Sequence, residues 1–151
     1  MSGLDIERFL GDQDAGLAKR AGRVLLVDDS ATTCNVVCYF LAQLGISNVV
    51  ISTDATAAFA ILQDGKVDFV IADVEMEPFS GLQLLRAIRS TPGLRHLPVL
   101  MMTGSLRHRH VVDAKQGNAT GFLLKPFSAS NLGVAMSAVA GRPGAPVARS
   151  A

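Results

Sequence analysis

The amino-acid sequence predicts a doubly wound α/β fold, in which helices cover both faces of a five-stranded parallel sheet. Short apolar runs alternate with longer segments of helical periodicity, and this alternation is typical of repeated βα units. The short runs are apolar at nearly every position, as strands covered on both faces are. The predicted strands are Val24–Val27, Asn48–Ile51, Phe69–Ala72, Val99–Met102 and Gly121–Leu124.

Residues that end or begin helices separate these runs. Gly45 and Gly65 follow the first two helical segments, and glycine commonly ends helices because it adopts a left-handed conformation at little cost. Thr53 or Asp54 can cap the second helix and Ser128 the last, by accepting hydrogen bonds from free backbone N–H groups. The predicted helices are Thr32–Leu44, Asp54–Gln63, Gly81–Ser90, Leu106–Lys115 and Ala129–Ala140.

The composition is that of a soluble globular protein. The 151 residues suffice for one domain with a sizeable core, and 49% of them are hydrophobic while 18% are charged. A formal net charge of +1 gives no support to nonspecific binding of nucleic acid or of anionic membranes. No stretch approaches the roughly 18 apolar residues of a membrane span, and acidic residues interrupt the first twenty positions. We therefore expect a cytoplasmic protein.

The chain divides into three parts. Residues 1–22 are predicted to form a polar N-terminal extension, and residues 23–140 a single domain. Residues 141–151 are rich in glycine and proline near their start, and we predict a disordered tail. Two cysteines, Cys34 and Cys38, lie four residues apart in a predicted helix and are expected to be reduced, packed thiols.

Five polar residues follow the predicted strands, at the points where the strands end. Asp28 and Asp29 follow the first strand, Asp73 the third, Thr103 the fourth and Lys125 the fifth. Ligands of such sheets bind outside the carboxyl ends of the strands, so we expect these side chains to meet. Each has an ordinary explanation when it is taken alone, such as a helix cap, a turn residue or a solvated lysine. Their joint occurrence at successive strand ends favours a site.

The residue types suit phosphoryl transfer. Clustered carboxylates can hold Mg²⁺, which prefers oxygen ligands. Asp73 can act as a nucleophile, since carboxylates form phosphoaspartyl intermediates. Lys125 offers a point charge and Thr103 a hydroxyl donor for phosphate oxygens. Such chemistry depends on positioning and on charge stabilisation more than on covalent machinery.

With these residues assembled, the chain resembles the receiver domain of response regulators in bacterial two-component signalling, and in particular single-domain regulators of the chemotaxis type. The resemblance covers Arg23 to Ala140. Its fold is flavodoxin-like, which implies the strand order 2-1-3-4-5. The stretches that carry the resemblance are Val24–Ser30, Asp73–Gly81, Met102–Gly104 and Gly121–Phe127.

The resemblance implies a role for each site residue. Asp73 would be the phosphoacceptor, and Mg²⁺ would be bound by Asp28, Asp29, Asp73 and the backbone carbonyl of Glu75. Thr103 and Lys125 would contact the phosphoryl group.

The resemblance also implies a conformational switch, in which Phe122 turns inward as Thr103 moves toward the phosphate. A cis peptide bond between Lys125 and Pro126 is implied too, and the cis form costs little before proline.

The sequence departs from the family pattern in three places. Glu77 stands where the family usually has proline, and Pro78 follows one residue later. Phe122 replaces the tyrosine often found at that position, so a switch cannot use a phenolic hydroxyl. Glu75 adds negative charge beside an anionic site, and we expect it to alter the dephosphorylation rate or the metal affinity.

Three functions remain compatible with these observations. The first is a phosphorylation switch that is not an enzyme in the usual sense, because it catalyses only its own phosphorylation and hydrolysis. Its partners would be a histidine kinase or phosphotransfer protein and a downstream effector protein, with no nucleic acid and no membrane. The second is a receiver-like scaffold that is never phosphorylated. The third is a Mg²⁺-dependent phosphatase, although the spacing of Asp28 and Asp29 does not match the D-x-D pair of the haloacid dehalogenase type.

Overall fold

The computed structural model describes residues 16–105 and 121–140. The helix predicted at Leu106–Lys115, most of the N-terminal extension and the tail from residue 141 lie outside these ranges. Residues 16–21 are also helical. The strands and the labelled helices are β1 (Val24–Val27), α1 (Ala31–Gln43), β2 (Val49–Ser52), α2 (Ala55–Gln63), β3 (Phe69–Asp73), α3 (Gly81–Ser90), β4 (Val99–Thr103), β5 (Gly121–Leu124) and α4 (Ala129–Ala140).

The five strands form one parallel sheet in the order β2-β1-β3-β4-β5, which confirms the predicted fold class and strand order. The strand order reverses beside β1, because β2 and β3 lie on either side of it. In the register, Val24 of β1 pairs with Val49 of β2 and with Phe69 of β3. The carboxyl ends of β1, β3, β4 and β5 therefore lie side by side at one edge of the sheet.

Two of the strands are longer than the sequence predicts, and the extra residues belong to the candidate site. Asp73 continues β3 by pairing with Met102, and Thr103 continues β4 by pairing with Leu124. Both side chains are thus held by the sheet ladder instead of by the loops that follow it. β2 is displaced by one residue from its predicted position, while β1 and β5 have their predicted bounds.

Apolar side chains on the two faces of the sheet form two buried layers. Consecutive residues of a strand point to opposite faces, so Leu25 belongs to one layer and Leu26 to the other. The first layer is closed by helices α2 and α3 and the second by α1 and α4, joined by Leu17 from the helical residues 16–21. No helix in the described ranges has the length and the apolar character that a membrane span requires.

Side-chain caps fix where the helices begin. Ser30 accepts a hydrogen bond from the backbone N–H of Thr33, so α1 starts at Ala31. Asp54 rather than Thr53 caps α2, through the backbone N–H of Ala57. Ser128 caps α4 as predicted. The predicted C-terminal glycines, Gly45 and Gly65, have φ of 82° and 76°, in the region that favours glycine.

Candidate functional site

The structure brings the predicted site residues together at the carboxyl edge of the sheet. Asp28 and Asp29 follow β1, while Asp73 and Thr103 end β3 and β4. Lys125 follows β5, where its backbone N–H donates to the carbonyl of Thr103 at 2.7 Å. Asp28, Asp73 and Thr103 are buried and Asp29 is exposed. The site is therefore a small polar cluster at the top of an apolar core, open to solvent on the side of Asp29.

The three aspartates can act as a group of ligands. One carboxylate oxygen of each lies within 4.8 Å of those of the others. Like charges at this separation repel, and a bound cation relieves the repulsion. Carboxylate oxygens with one solvent-facing side suit a hard divalent ion that keeps part of its water shell. The donor set fits Mg²⁺.

Among the described residues, the positive charge in this cluster is the ammonium group of Lys125. Its Nζ donates to Asp28 Oδ2 at 3.2 Å. The same Nζ lies 3.0 Å from Asp73 Oδ1, as a charge contact without the alignment of a hydrogen bond. A lysine is well suited to this role because its ammonium is a compact charge on a flexible stem. One ammonium thus links two buried carboxylates from different strands.

The pKa values of Asp73 and Lys125 are both shifted by their surroundings. The pKa of Asp73 is raised to about 6, mainly because burial disfavours the charged carboxylate; Lys125 opposes this shift, whereas the charges of Asp28 and Glu75 add to it. Burial alone would lower the pKa of Lys125, but the Asp73 and Asp28 carboxylates outweigh it and raise the pKa. Lys125 therefore stays charged, while Asp73 is a carboxylate that gains from any added positive charge.

Asp28 has a second, structural task. Its Oδ1 accepts a hydrogen bond from the backbone N–H of Ser30 at 2.9 Å, at the start of α1. The thiol of Cys34 donates to the backbone carbonyl of Asp28 at 3.4 Å. Asp28 therefore both binds the start of the helix and belongs to the site, since its Oδ1 faces the helix and its Oδ2 faces Lys125.

Cys34 and Cys38 are free thiols, and burial raises the pKa of each.

The loop after Asp73 turns tightly back over the site. The backbone N–H of Gly81 donates to the carbonyl of Val74 at 3.0 Å. A Cβ on Gly81 would lie 2.0 Å from the Asp73 carbonyl oxygen, so this position requires glycine. The peptide bond between Lys125 and Pro126 is cis, as predicted, and the bond between Glu77 and Pro78 is also cis.

Thr103 has a partner that the sequence did not predict. Its hydroxyl donates to Glu75 Oε2 at 2.9 Å, and the backbone N–H of Gly104 donates to Glu75 Oε1 at 3.0 Å. The resemblance implies a backbone role for Glu75, and the sequence indicates its negative charge, but neither predicts this contact. The sequence feature that could have indicated the contact is the position of Glu75 two residues after Asp73, in the loop beside the end of β4.

Phe122 is half-buried in β5, the edge strand, and packs against the core layer that contains Leu25. Its neighbour in the ladder is Met101 of β4. One strand, β4, thus lies between the strand of Phe122 and the strand of Asp73, and Lys125 directly follows the strand of Phe122.

Comparisons with known proteins identify a family for the chain. Residues 24–137 match the family model described as response regulator receiver domain. The chain is 36% identical over 110 residues to chemotaxis protein CheY of Pseudomonas aeruginosa, which covers 73% of this chain and 89% of that protein. It has the same identity over the same length to chemotaxis protein CheY-3 of Vibrio cholerae, of which it covers 85%.

Solved structures share the fold. Chemotaxis protein CheY4 of Vibrio cholerae superimposes with a TM-score of 0.65 at 32% identity, over 74% of this chain and 92% of that one. The bacteriophytochrome response regulator RtBRR superimposes with a TM-score of 0.74 at 23% identity, over 85% of this chain and 89% of that one. By its match to the family model, by its identity to these relatives and by its strand order, the chain belongs to the family of response regulator receiver domains.

Proposed function

We propose that this receiver domain is a phosphorylation switch in which Asp73 accepts a phosphoryl group from a histidine kinase or a histidine phosphotransfer protein. The observation that carries the proposal is the convergence of three carboxylates, with one oxygen of each within 4.8 Å of the others, around the Lys125 ammonium. Membership of the family and likeness to chemotaxis proteins support it.

In the proposed reaction a carboxylate oxygen of Asp73 attacks phosphorus as the bond from phosphorus to the donor imidazole nitrogen breaks. Asp73 ends β3, where pairing with Met102 holds its backbone, and this fixed position supports its role as the nucleophile. Lys125 lies 3.0 Å from Asp73 Oδ1 and is placed to contact a phosphoryl oxygen on that carboxylate. The Thr103 hydroxyl, at the end of the neighbouring strand, would donate to another oxygen.

Mg²⁺ would be held by Asp28, Asp29, Asp73 and the backbone carbonyl of Glu75. When it is bound, it supplies charge that offsets the repulsion between the acidic cluster and an incoming phosphoryl group. The chain's own contribution is to keep the three carboxylates close together and to bury two of them, so that the charge of a bound ion acts at short range.

Phosphorylation would bias a two-state element at the side of the site formed by Thr103, Phe122 and the residues around β5. A downstream effector protein would recognise the changed surface, in the cytoplasm. The only chemistry of the chain itself would be phosphoryl transfer to Asp73 and its hydrolysis.

The test is incubation of the purified protein with acetyl phosphate, with and without Mg²⁺, followed by mass spectrometry of the intact chain. We expect a phosphoryl adduct that needs Mg²⁺ and that is absent in Asp73→Asn. Circular dichroism shows whether each variant is folded. An adduct that persists in Asp73→Asn would contradict the assignment of the phosphoacceptor.

One observation favours a second candidate function, a receiver-like scaffold that is not phosphorylated. The Glu75 carboxylate already receives hydrogen bonds from the backbone N–H of Gly104 and from the hydroxyl of Thr103, and the latter is the donor that we assign to a phosphoryl oxygen. A folded protein that takes up no phosphoryl group at any Mg²⁺ concentration would favour this candidate over the switch.

A further inference from the structure

The carboxylate of Glu75 is bound by two donors at the end of β4. Oε2 accepts from the Thr103 hydroxyl at 2.9 Å, and Oε1 accepts from the Gly104 backbone N–H at 3.0 Å. Each carboxylate oxygen thus has its own donor. Hydrogen bonds to an ionised acceptor are stronger than those between neutral groups. The end of β4 therefore behaves as a receptor for an anion, and Glu75 supplies that anion.

The Thr103 hydroxyl is oriented for this contact. The backbone N–H of Ser105 donates to Thr103 Oγ1 at 3.1 Å, so one lone pair of the hydroxyl oxygen is used. Its single hydrogen has two acceptors within reach, Glu75 Oε2 at 2.9 Å and the Ser105 carbonyl at 3.2 Å. The carboxylate is the nearer of the two and carries the charge, so it takes the hydrogen.

The anion comes from the loop that carries the reacting residue. Glu75 lies two residues after Asp73 and reaches across to β4, while Lys125 faces Asp28 and Asp73 on the other side. Glu75 is exposed, whereas Thr103 is buried. The exposed side chain can move away into solvent, whereas Thr103 is held in the sheet and Gly104 directly follows it. The contact is therefore displaceable.

We propose that Glu75 is a positioning residue that occupies, with its own carboxylate, the Thr103 and Gly104 donors that a phosphoryl group on Asp73 requires. The proposal rests on the proposed function. A phosphoryl group and the Glu75 carboxylate are both anions, and the Thr103 hydroxyl has one hydrogen to donate. Phosphorylation then replaces one anion by another at the end of β4, and Glu75 sets how readily this exchange occurs.

The probe is trifluoroberyllate, a phosphoryl analogue that needs no donor, titrated into the full chain with Mg²⁺ by calorimetry. Glu75→Ala removes the competing carboxylate, and we expect about tenfold tighter binding, equivalent to about 1.4 kcal/mol. Glu75→Asp keeps the charge but shortens the reach, and we expect it to resemble Glu75→Ala more than the wild type.

The matched control is Glu77→Gln, which removes one negative charge from an exposed position of the same loop. An exposed charge contributes little, so we expect a change in affinity of about twofold or less. Titration with Mg²⁺ alone serves as the second control: we expect Glu77→Gln to bind the ion within about twofold of the wild type, and any change in Mg²⁺ affinity of the Glu75 variants is subtracted from their change in trifluoroberyllate affinity.

A second measurement tests the contact without any phosphoryl analogue. In the wild type the Gly104 amide is hydrogen-bonded to Glu75, so its hydrogen exchange should be slower than in Glu75→Ala and unchanged in Glu77→Gln. A merely structural role of Glu75 would alter exchange across the domain instead of at the end of β4.

The outcomes separate the two proposals. Equal trifluoroberyllate affinity in the wild type and Glu75→Ala would overturn the role of Glu75 while leaving the switch intact. Wild-type behaviour of Glu75→Asp, or a gain as large in Glu77→Gln, would overturn it as well, because charge alone would then suffice. If no variant binds the analogue while all are folded, the proposed function itself fails.

Discussion

Replacing Asp73 by asparagine removes a buried charge and keeps nearly the same side-chain shape. The pKa of Asp73 is raised from 3.8 to about 6, first by burial and then, against the opposing effect of Lys125, by the Asp28 charge. This is about two pH units, and each unit corresponds to about 1.4 kcal/mol. Ionisation of Asp73 therefore costs the folded protein up to about 3 kcal/mol of stability relative to the unfolded chain.

The sign of the pH dependence follows from the direction of the shift. Below pH 3.8 Asp73 is protonated in both the folded and the unfolded states, and it contributes no difference. As the pH rises from 3.8 to about 6, Asp73 ionises in the unfolded chain before it does so in the folded protein, and this stabilises the unfolded state relative to the folded one. The free energy of unfolding of the wild type should therefore fall over this interval, whereas Asp73→Asn lacks this component of the fall.

The assay is urea unfolding of both proteins between pH 4 and pH 8, in the absence of divalent ions. We expect the stability difference between Asp73→Asn and the wild type to grow by about 2–3 kcal/mol from the lowest to the highest pH, in favour of the variant. The exposed Asp64 gives a control, since Asp64→Asn should track the wild type within about 0.5 kcal/mol. Added Mg²⁺ should reduce the gain, because it stabilises the wild-type carboxylates. A stability difference that does not change with pH would refute the reasoning.

Three further perturbations test the site and the loop that covers it. Lys125→Met removes the ammonium that faces Asp73 while keeping an apolar stem, and we expect a loss of about 2 kcal/mol at neutral pH, partly recovered on addition of Mg²⁺ and measured by urea unfolding. Gly81→Ala places a Cβ against the Asp73 carbonyl and should cost about 3 kcal/mol or more, whereas Gly93→Ala, which meets no atom within 4 Å, should change the midpoint of thermal unfolding little. Ser80→Ala removes the capping box at the start of α3 and should cost about 1 kcal/mol in the same assay, and an unchanged midpoint would show that the cap is dispensable.

The fold could be predicted because its signals are local. Runs such as Val24–Val27 and Phe69–Ala72 are apolar throughout. Gly45 and Gly65 follow helices because glycine adopts a positive φ at little cost, and this property depends on the single residue. The position of Asp73 at a strand end followed from the same runs. Its inclusion within β3 did not, because the ladder that extends the strand depends on pairing with Met102, which lies far away in sequence.

The meeting of Asp28, Asp73 and Lys125 was predictable from their positions at the ends of strands, but the hydrogen bonds of the site were not. Glu75 could be identified as an added negative charge, yet its reach to Thr103 depends on the shape of the loop. That loop contains a cis peptide bond before Pro78, at the place where the sequence departs from the family pattern. The direction of a side chain in an irregular loop follows from tertiary contacts, which a single sequence does not encode locally.

The contact between Lys125 and Asp28 joins residues that are 97 positions apart, at the first and the last strand of the sheet. During synthesis, a chain that ends at β4 would contain the Asp28 and Asp73 carboxylates but not the lysine that neutralises them. Docking of β5 then adds hydrogen bonds to β4. It also brings Lys125 to the Asp28 and Asp73 carboxylates and so relieves the repulsion between them. The contacts of Lys125 with Asp28 and Asp73 thus favour the complete sheet over a truncated one, so a chain cut before β5 would lose this electrostatic stabilisation as well as the hydrogen bonds of β5.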